Sequence, residues 1–295
     1  GGAARGGGAM LASLVMWPTE RGHMAIFDHY EFDHSVLGEG HFGQVTVVTH
    51  RATGQRRACK CVGVEDERDQ RFVDTEIELL KRLDHPNILR LSESFVDGRN
   101  IYLVAELCEG GALLEGFVGR GSCASAAACV GQVLGAAAYC HGKGVVHRDL
   151  KPDNVLYAST APDSVVKVID FGLSDFLERL RGPSQRKMPR AGTLAFMAPE
   201  LVSGDGCQYS EKVDVWAIGC LLFLLLTGAH PFQVSRSVHP REARARIARG
   251  EILEHPNWVA TPAPARNLVL RLLAADPAAR SSAAEALQHP WLHAG

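Results

Sequence analysis

The sequence predicts an α+β fold in two lobes, a small antiparallel sheet with one main helix followed by a larger helical lobe. Three observations predict it. Short alternating strand patterns lie on both sides of a glycine-rich turn between 34 and 64. Apolar side chains at helical spacing follow in 69–83, and two further strand patterns occupy 85–91 and 100–107. Beyond Gly110 the patterns become mostly helical.

Five helical patterns make up the second lobe. The first is rich in alanine, begins after a candidate cap at Ser122 and ends at Gly142 and Gly144. The second, "VWAIGCLLFLLLTGA", is too short to span a membrane and is typical of a buried helix. Three more patterns follow it along the chain, in 241–252, 263–277 and 282–292.

These boundaries divide the chain into an extension and one domain. The glycine- and alanine-rich start of the chain is typical of a flexible segment. We therefore expect a flexible extension over residues 1–29 and a domain over residues 30–292. Within that domain we expect an N-lobe over 30–107, a hinge near 106–110 and a C-lobe over 111–292.

Composition excludes several classes of protein. The 295 residues are 46% hydrophobic and 22% charged, with a net charge of −2, so there is no basic excess of the kind that nucleic-acid binding requires. No secretory signal or transmembrane segment is visible. The eight cysteines include no Cys-x-x-Cys pair, which favours reduced thiols over a zinc site. We expect a cytoplasmic, monomeric protein, and leave open a membrane anchor on a natural N-terminus preceding Gly1.

The segment "GEGHFGQV", Gly38 to Val45, has the spacing Gly-x-Gly-x-x-Gly-x-Val. A dinucleotide-binding motif would open a helix, whereas strand patterns flank this one on both sides. A glycine flap between two strands lets backbone N–H groups lie over phosphates, although an ordinary hairpin has the same pattern. Lys60 on the next strand and Glu76 on the following helix suit a phosphate-binding lysine held by a carboxylate. The alternative for this pair is a surface salt bridge, which contributes little.

Four further motifs follow in a fixed order: "HRDLKPDN" at 147–154, "DFG" at 170–172, "APE" at 198–200 and "DVWAIG" at 214–219. Together with the glycine flap and Lys60, they resemble the catalytic domain of eukaryotic protein kinases. The resemblance covers the chain from about residue 30 to residue 292. It implies the two-lobed protein kinase fold.

The resemblance implies catalytic roles for particular residues. Asp149 would orient the acceptor hydroxyl, and Lys151 would lie against the transferring phosphate. Lys60, fixed by Glu76, would hold the α- and β-phosphates of ATP. Asn154 and Asp170 would hold Mg²⁺ through oxygen ligands. The lysine in this loop, together with Thr193, implies serine/threonine acceptors.

The resemblance also implies an ATP site between the lobes. Leu37, Val45, Ala58 and Leu156 would enclose the adenine, whose edge would bond to the Glu106 carbonyl and the Cys108 amide. The full predicted set is Leu37, Gly38, Glu39, Gly40, His41, Phe42, Gly43, Gln44, Val45, Ala58, Lys60, Ala105, Glu106, Cys108 and Leu156. Two structural sets are implied as well, a stack of Leu80, Leu91, His147 and Phe171 and a pair of Glu200 with Arg280.

Within the family, "DHPNILRL", "LVAELCEGG" and "VIDFGLSDF" resemble the calmodulin- and calcium-dependent group, above all the plant and apicomplexan calcium-dependent kinases. No Asp-x-Asp-x-Asp-Gly calcium loop occurs in the chain, so we expect any regulatory EF-hand or calmodulin-binding segment to lie outside it. Three positions depart from the group. Ala112 replaces a glutamate, Pro189 replaces a phosphorylatable or acidic residue, and Ala105 is smaller than the usual side chain before the hinge.

The sequence therefore predicts a Ser/Thr protein kinase that uses ATP and Mg²⁺ to phosphorylate protein substrates, in calcium/calmodulin-type signalling. The rival hypothesis is a pseudokinase scaffold that binds partners without chemistry. ATP turnover on a generic basic protein distinguishes the two.

Overall fold

The computed structural model describes residues 25–40, 43–117, 122–181, 192–203, 209–234 and 238–294. It has the two-lobed α+β architecture that the sequence predicts. The strands are β1 (Tyr30–Gly40), β2 (Gly43–His50), β3 (Arg56–Gly63), β4 (Leu91–Asp97), β5 (Asn100–Ala105), β6 (Val145–Val146), β7 (Val155–Tyr157), β8 (Val166–Val168) and β9 (Asp175–Phe176). The helices are α1 (Ala25–His29), α2 (Glu67–Arg82), α3 (Leu113–Phe117), α4 (Cys123–Gly142), α5 (Leu177–Arg181), α6 (Pro199–Ser203), α7 (Lys212–Thr227), α8 (Pro240–Arg249), α9 (Pro256–Ala260), α10 (Ala263–Leu272) and α11 (Ala283–Leu287).

The first lobe is built on a five-stranded sheet in the order β1-β2-β3-β5-β4, in which every neighbouring pair is antiparallel. Val45 lies opposite Lys60, and Ala58 lies opposite Ala105. Because side chains alternate between the two faces of a strand and opposed residues share a face, these four side chains lie on one face of the sheet. That shared face is the one that α2 and the second lobe cover.

The opposite face of the sheet has a small core of its own. Ile26, Tyr30, Val48, Cys59, Tyr102 and Val104 form this buried cluster. Ile26 belongs to α1 and is only 1% exposed. The five residues of α1 lie inside the stretch 1–29 that the sequence predicted to be a flexible extension, and that prediction is wrong for them. They are ordered because Ile26 removes its apolar surface from water by packing against the sheet.

Helix α2 begins at a capped end and packs against the inner face of the sheet. The Asp66 carboxylate accepts hydrogen bonds from the backbone N–H groups of Arg68 and Asp69, which satisfies two donors at the start of the helix. Val73, Glu76, Leu79 and Leu80 are its buried side chains. Glu76 is the one charged member of that set, and it is therefore held inside the molecule on a rigid helix.

The second lobe packs around α4 and α7. The Ser122 side chain accepts from the Ser125 N–H and caps α4, as the sequence predicted. Helix α7 carries Val215, Trp216, Ile218 and Leu222 in the core, and nearly all of its other side chains are buried too. Among the described residues, one helix, α4, is long and apolar enough to cross a membrane, but half of its apolar stretch is buried inside the protein.

One predicted strand is absent. Residues 85–91 were expected to pair in the sheet, yet β4 begins at Leu91 and continues to Asp97. Ile88 is 2% exposed and forms a parallel bridge with Val168 of β8, and the Leu89 N–H bonds to the Val168 carbonyl. Ile88 of this stretch therefore packs against β8 of the second lobe, where it is buried.

Candidate active site

The loop from β6 to β7 places Asp149 among hydrogen-bond donors. One carboxylate oxygen of Asp149 accepts from Lys151 Nζ at 2.6 Å and from Asn154 Nδ2 at 3.2 Å. The other accepts from the Thr193 N–H at 2.9 Å and from the Thr193 hydroxyl at 3.0 Å. Asp149 is 7% exposed, so this carboxylate is held in one orientation as an acceptor. The structure thus brings together Asp149, Lys151 and Asn154, which the sequence predicted, with Thr193.

The backbone before Asp149 is fixed by the buried carboxylate of Asp214, the first residue of the "DVWAIG" motif. Asp214 accepts from the His147 N–H at 2.9 Å and the Arg148 N–H at 2.8 Å, and it contacts His141 Nε2 at 2.9 Å. Burial alone would raise the pKa of the Asp214 carboxyl, but the contact with His141 and these hydrogen bonds outweigh it, and that pKa lies below its ordinary value. Arg148 has a φ of +73°, a strained conformation that this anchoring maintains.

Gly192 lets the segment that carries Thr193 approach the loop between β6 and β7. Its φ is +106°, and a Cβ at this position would lie 2.6 Å from the Arg148 carbonyl oxygen. A side chain would therefore push Thr193 away from Asp149. Lys151 Nζ also donates to the Thr193 hydroxyl at 3.1 Å, so the side chains of Asp149, Lys151 and Thr193 join the loop to the segment that carries Thr193.

Lys60 lies between two carboxylates at the interface of the lobes. Its Nζ donates to both carboxylate oxygens of Glu76, at 2.9 and 3.0 Å, and to Asp170 Oδ1 at 3.2 Å. The Lys60 and Glu76 side chains are 18% and 5% exposed, so the pair is not a surface salt bridge. Burial raises the pKa of Glu76. For Asp170, burial acts in the same direction, but the charge of Lys60 outweighs it and the pKa of Asp170 lies below its ordinary value.

Asp170 and Asn154 fit the hard-cation site that the sequence predicted. The contacts of Asp170 with Lys60 and with the Gly172 N–H both use Oδ1, and those of Asn154 both use Nδ2. Asp170 Oδ2 and Asn154 Oδ1 lie outside these bonds, and carboxylate and amide oxygens are the ligands that Mg²⁺ prefers. Asp170 has a φ of +61°, a second strained position beside the site. The described residues contain no group of three or more His, Cys, Asp or Glu side chains that could hold a metal ion.

The apolar residues predicted to enclose the adenine come from several strands of the two lobes. Ala105 is buried and lies opposite the half-buried Ala58, while Leu156 lies on β7, where it forms a bridge with Ala112. Leu37, on β1, is 51% exposed. These four apolar positions lie on β1, β3, β5 and β7, and their contact with adenine stays a prediction of the sequence.

The hinge after β5 is fixed in place by hydrogen bonds to the Glu106 carboxylate. The Glu106 carboxylate accepts from Lys167 Nζ and from the Arg90 N–H, each at 2.8 Å, and the Glu106 N–H bonds to the Arg90 carbonyl. These contacts do not use the Glu106 carbonyl or the Cys108 N–H, the two groups predicted to bond adenine. Burial raises the pKa of the Cys108 thiol to about 11, so the thiol is neutral.

The glycine flap is a hairpin between β1 and β2. Gly38, Glu39 and Gly40 end β1, whereas Gly43, Gln44 and Val45 begin β2. Gly43 has a φ of +123°, and a Cβ there would lie 1.9 Å from the Cys61 carbonyl oxygen, so a glycine is required for the close approach to β3. The predicted ATP contacts His41 and Phe42 lie outside the described residues.

Two structural sets implied by the resemblance can be compared with the structure. His147 and Phe171 meet edge to face with their ring centroids 4.8 Å apart, and both are buried. Leu80 and Leu91 pack in the same core. The pairing of Glu200 with Arg280 is confirmed by two parallel bonds of 2.8 and 2.9 Å between nearly inaccessible side chains.

Sequence reasoning missed several contacts around the site. Asp214 was noted as part of a motif without a role, although a charged residue at the start of an apolar helix is a signal for a buried anchor. Glu109, at the hinge, pairs with Arg56 at 2.6 Å. His230, which contacts the segment after Thr193, carried no recognisable pattern in the sequence.

Comparison with known proteins identifies the class to which this fold and site belong. The family model described as "Protein kinase domain" matches residues 31–292. The chain belongs to the protein kinase family.

Within the protein kinase family, the chain is similar to calcium-dependent and calcium/calmodulin-dependent protein kinases. The chain is 37% identical over 301 residues to calcium-dependent protein kinase 9 of Oryza sativa subsp. japonica, covering 98% of the chain and 50% of that protein. It is 38% identical to human calcium/calmodulin-dependent protein kinase type IV, over 95% of the chain and 58% of that protein. It is also 38% identical to calcium/calmodulin-dependent protein kinase type I of Schizosaccharomyces pombe, over 87% of the chain and 76% of that protein. The chain thus spans about half the length of the first of these relatives.

Proposed function

We propose that this chain transfers the γ-phosphate of ATP to serine and threonine hydroxyls of proteins. The observation that carries the proposal is the convergence on Asp149 of Lys151, Asn154 and Thr193, with the buried Lys60–Glu76 pair at the interface of the lobes. Phosphoryl transfer depends on positioning and on charge neutralisation more than on covalent chemistry. This cluster of fixed acceptors and cations supplies both.

Each side chain has one task in this proposal. Asp149 accepts a hydrogen bond from the acceptor hydroxyl and orients its oxygen toward the γ-phosphate. Lys151 and Lys60 neutralise phosphate charge. Asn154 and Asp170 would hold Mg²⁺, which supplies further charge neutralisation on the phosphate oxygens when bound.

The choice of serine and threonine rests on the segment that carries Thr193. Thr193 donates its hydroxyl to Asp149 and accepts from Lys151, so it lies beside the place where an acceptor hydroxyl would bind. A short acceptor side chain must bring its own backbone close to this segment. In the resemblance that the sequence carries, the lysine in the loop and the threonine go with serine/threonine acceptors.

We further propose that the protein acts in calcium- or calmodulin-linked signalling. The support is the printed names of the relatives, which are calcium-dependent and calcium/calmodulin-dependent protein kinases. Those proteins extend beyond the matched region, so a calcium-responsive segment would lie outside residues 1–295. The cytoplasmic location and the monomeric state stay predictions of the sequence.

Turnover with ATP and Mg²⁺ on a generic basic protein tests the phosphotransfer. We expect incorporation of phosphate into serine and threonine, and a loss of about 10²–10⁴-fold in kcat for Asp149→Asn, because the amide lacks the carboxylate charge that orients the acceptor hydroxyl. Asp163→Asn, a matched change at an exposed turn, should keep wild-type turnover. A folded wild type that binds ATP without transferring phosphate would instead support the pseudokinase scaffold.

A further inference from the structure

A histidine outside the catalytic loop contacts the segment that carries Thr193. His230 follows α7, and its Nε2 lies 2.5 Å from the carbonyl oxygen of Ala195. Its Nδ1 lies 3.2 Å from the Phe232 N–H. A carbonyl oxygen can only accept and a backbone N–H can only donate, so Nε2 carries the proton and Nδ1 is the acceptor. The two neighbours therefore select one neutral tautomer and one orientation of the ring.

The His230 ring is attached to the rigid core of the second lobe. It lies near Phe232, with centroids 6.0 Å apart, and Phe232 stacks on Trp216 of α7 at 5.1 Å with nearly parallel planes. Phe232 and Trp216 are both almost fully buried. On its other side, His230 meets Phe196 edge to face, at 5.6 Å and 88°. The histidine thus connects the core to two successive residues of the segment, Ala195 and Phe196.

This segment leaves Thr193 as a single 3₁₀ turn, Leu194–Phe196. The turn is closed by the Phe196 N–H bond to the Thr193 carbonyl, at 2.9 Å. None of its three residues is buried, and the Thr193 side chain does not cap it. Leu194 and Phe196 are half-buried and pack against the core, and the bond from His230 fixes the backbone of Ala195 between them.

We propose that His230 is a positioning residue for the protein substrate, since it holds the Leu194–Phe196 turn in the shape on which the acceptor chain docks. This inference rests on the proposed function. An acceptor hydroxyl at Asp149 lies beside Thr193, so the residues that flank it in the substrate must run along this turn. In the proposed function, ATP would bind on the other side of Asp149, against β1, β2, β3 and the hinge. His230 therefore acts on the binding of the protein substrate and not on the binding of ATP.

Three variants separate this role from a general effect on folding. His230→Leu removes both hydrogen bonds at similar size, whereas His230→Gln keeps an N–H donor at about the same reach. The matched control is His289→Leu. His289 accepts from the Trp291 N–H through Nδ1 at 3.3 Å and contacts Asn267 through Nε2 at 3.1 Å, so it has the same local pattern away from the turn.

We expect His230→Leu to raise the KM for a peptide substrate about tenfold, which corresponds to about 1.4 kcal/mol. The KM for ATP should change less than twofold, and His230→Gln should recover most of the peptide KM. Amide hydrogen exchange at Phe196 and Met197 should accelerate in His230→Leu and stay unchanged in His289→Leu. This readout does not depend on turnover.

Two kinds of failure are distinguishable. An active wild type whose His230→Leu variant keeps its peptide KM, or shifts the KM for ATP equally, overturns the role of His230 alone. Equal effects of His230→Leu and His289→Leu on the peptide KM and on exchange at Phe196 overturn it as well. A wild type that transfers no phosphate overturns the proposed function, and this inference with it.

Discussion

Lys60 Nζ donates hydrogen bonds to both carboxylate oxygens of Glu76, at 2.9 and 3.0 Å, so β3 and α2 are joined by a two-point contact at the interface of the lobes. Glu76 is buried and Lys60 is largely shielded from water, which strengthens their electrostatic attraction and makes loss of either partner costly. Asp170, at 3.2 Å, attaches the second lobe to the same ammonium group. The position of α2 is thereby linked to that of Asp170, the carboxylate predicted to hold Mg²⁺.

Lys60→Met should lower kcat by orders of magnitude, because the cation for the ATP phosphates is lost. It should also lower the free energy of unfolding by about 1–3 kcal/mol, since Glu76 keeps its burial and loses its partner. Burial already raises the pKa of Glu76, and without the lysine charge that pKa rises further. Steady-state kinetics and urea unfolding measure the two effects. Turnover close to that of the wild type would contradict the role of Lys60.

Ala105→Met tests whether the small residue before the hinge leaves space behind the adenine site. Ala105 is 6% exposed and lies opposite Ala58. An aromatic group placed in such space would gain about 1–3 kcal/mol by burial, or roughly ten- to a hundredfold in affinity. We expect ATP-competitive inhibitors with a bulky aryl group to bind the wild type and to be rejected by Ala105→Met, with ATP turnover largely kept. Equal inhibition curves for the two proteins would mean that Ala105 does not line the ATP pocket.

Ala112→Glu should strengthen the preference for an arginine three residues before the acceptor, because charge-assisted hydrogen bonds are stronger than neutral ones. The wild type should have a weak preference, since Glu109 is engaged by Arg56 at 2.6 Å. Asp153, in the loop that carries Asp149, is an exposed carboxylate that stays available to such an arginine. A peptide array reads out the preference. Leu114→Glu, which adds the same charge at a neighbouring exposed position, is the matched control. An equal change in both variants would indicate a general charge effect.

Activity should not require phosphorylation of the loop before Gly192. The Arg148 guanidinium lies over the Tyr209 ring at 4.8 Å, and its Nη2 is 3.5 Å from the Tyr209 hydroxyl. Such a cation–π contact contributes about 1 kcal/mol, so Tyr209→Leu should lower kcat roughly fivefold, while Tyr209→Phe keeps the ring and most of the activity. Ser184, a hydroxyl residue of that loop, and Pro189 lie outside the described residues.

Phosphatase treatment completes that test. We expect treated and untreated protein to have the same kcat. Activity that disappears on treatment and returns with phosphate at Ser184 would show that Arg148 needs an anionic partner and that the tyrosine ring is not sufficient.

Stability should fall in mild acid, partly through His230. Burial lowers the pKa of His230 from 6.5 to about 4, with the Ala195 carbonyl opposing the shift. Between those values the unfolded chain binds a proton that the folded protein excludes, so the free energy of unfolding decreases as pH falls from about 6.5 to about 4. At about pH 5 the loss is about 2 kcal/mol. Above pH 6.5 His230 no longer makes the free energy of unfolding depend on pH.

Urea unfolding at neutral pH and at about pH 5 measures this effect. His230→Gln should lose less stability between the two conditions than the wild type does. His293→Gln, at an exposed position, should match the wild type. An equal loss of unfolding free energy between neutral pH and about pH 5 in the wild type and in His230→Gln would contradict the assignment of a neutral, buried His230.

The sequence alone determined the class of fold and the residues around Asp149. The loop "HRDLKPDN" brings Asp149, Lys151 and Asn154 together within six positions, so their proximity follows from chain connectivity. Strand alternation likewise placed Lys60 on an element beside the glycine flap. Such residues can be predicted from the sequence because their chemistry depends on their spacing along the chain.

Tertiary structure alone decided the contacts that hold this loop and its neighbour in place. Asp214 anchors Arg148 from 66 positions away, and His230 reaches Ala195 across 35 positions. The same holds for Ile26, which is ordered by the sheet, and for Ile88, which leaves the predicted strand to pack on β8. A residue pattern gives period and polarity, whereas these contacts depend on which buried surfaces the packed helices and strands offer one another, and that is fixed only when the whole chain folds.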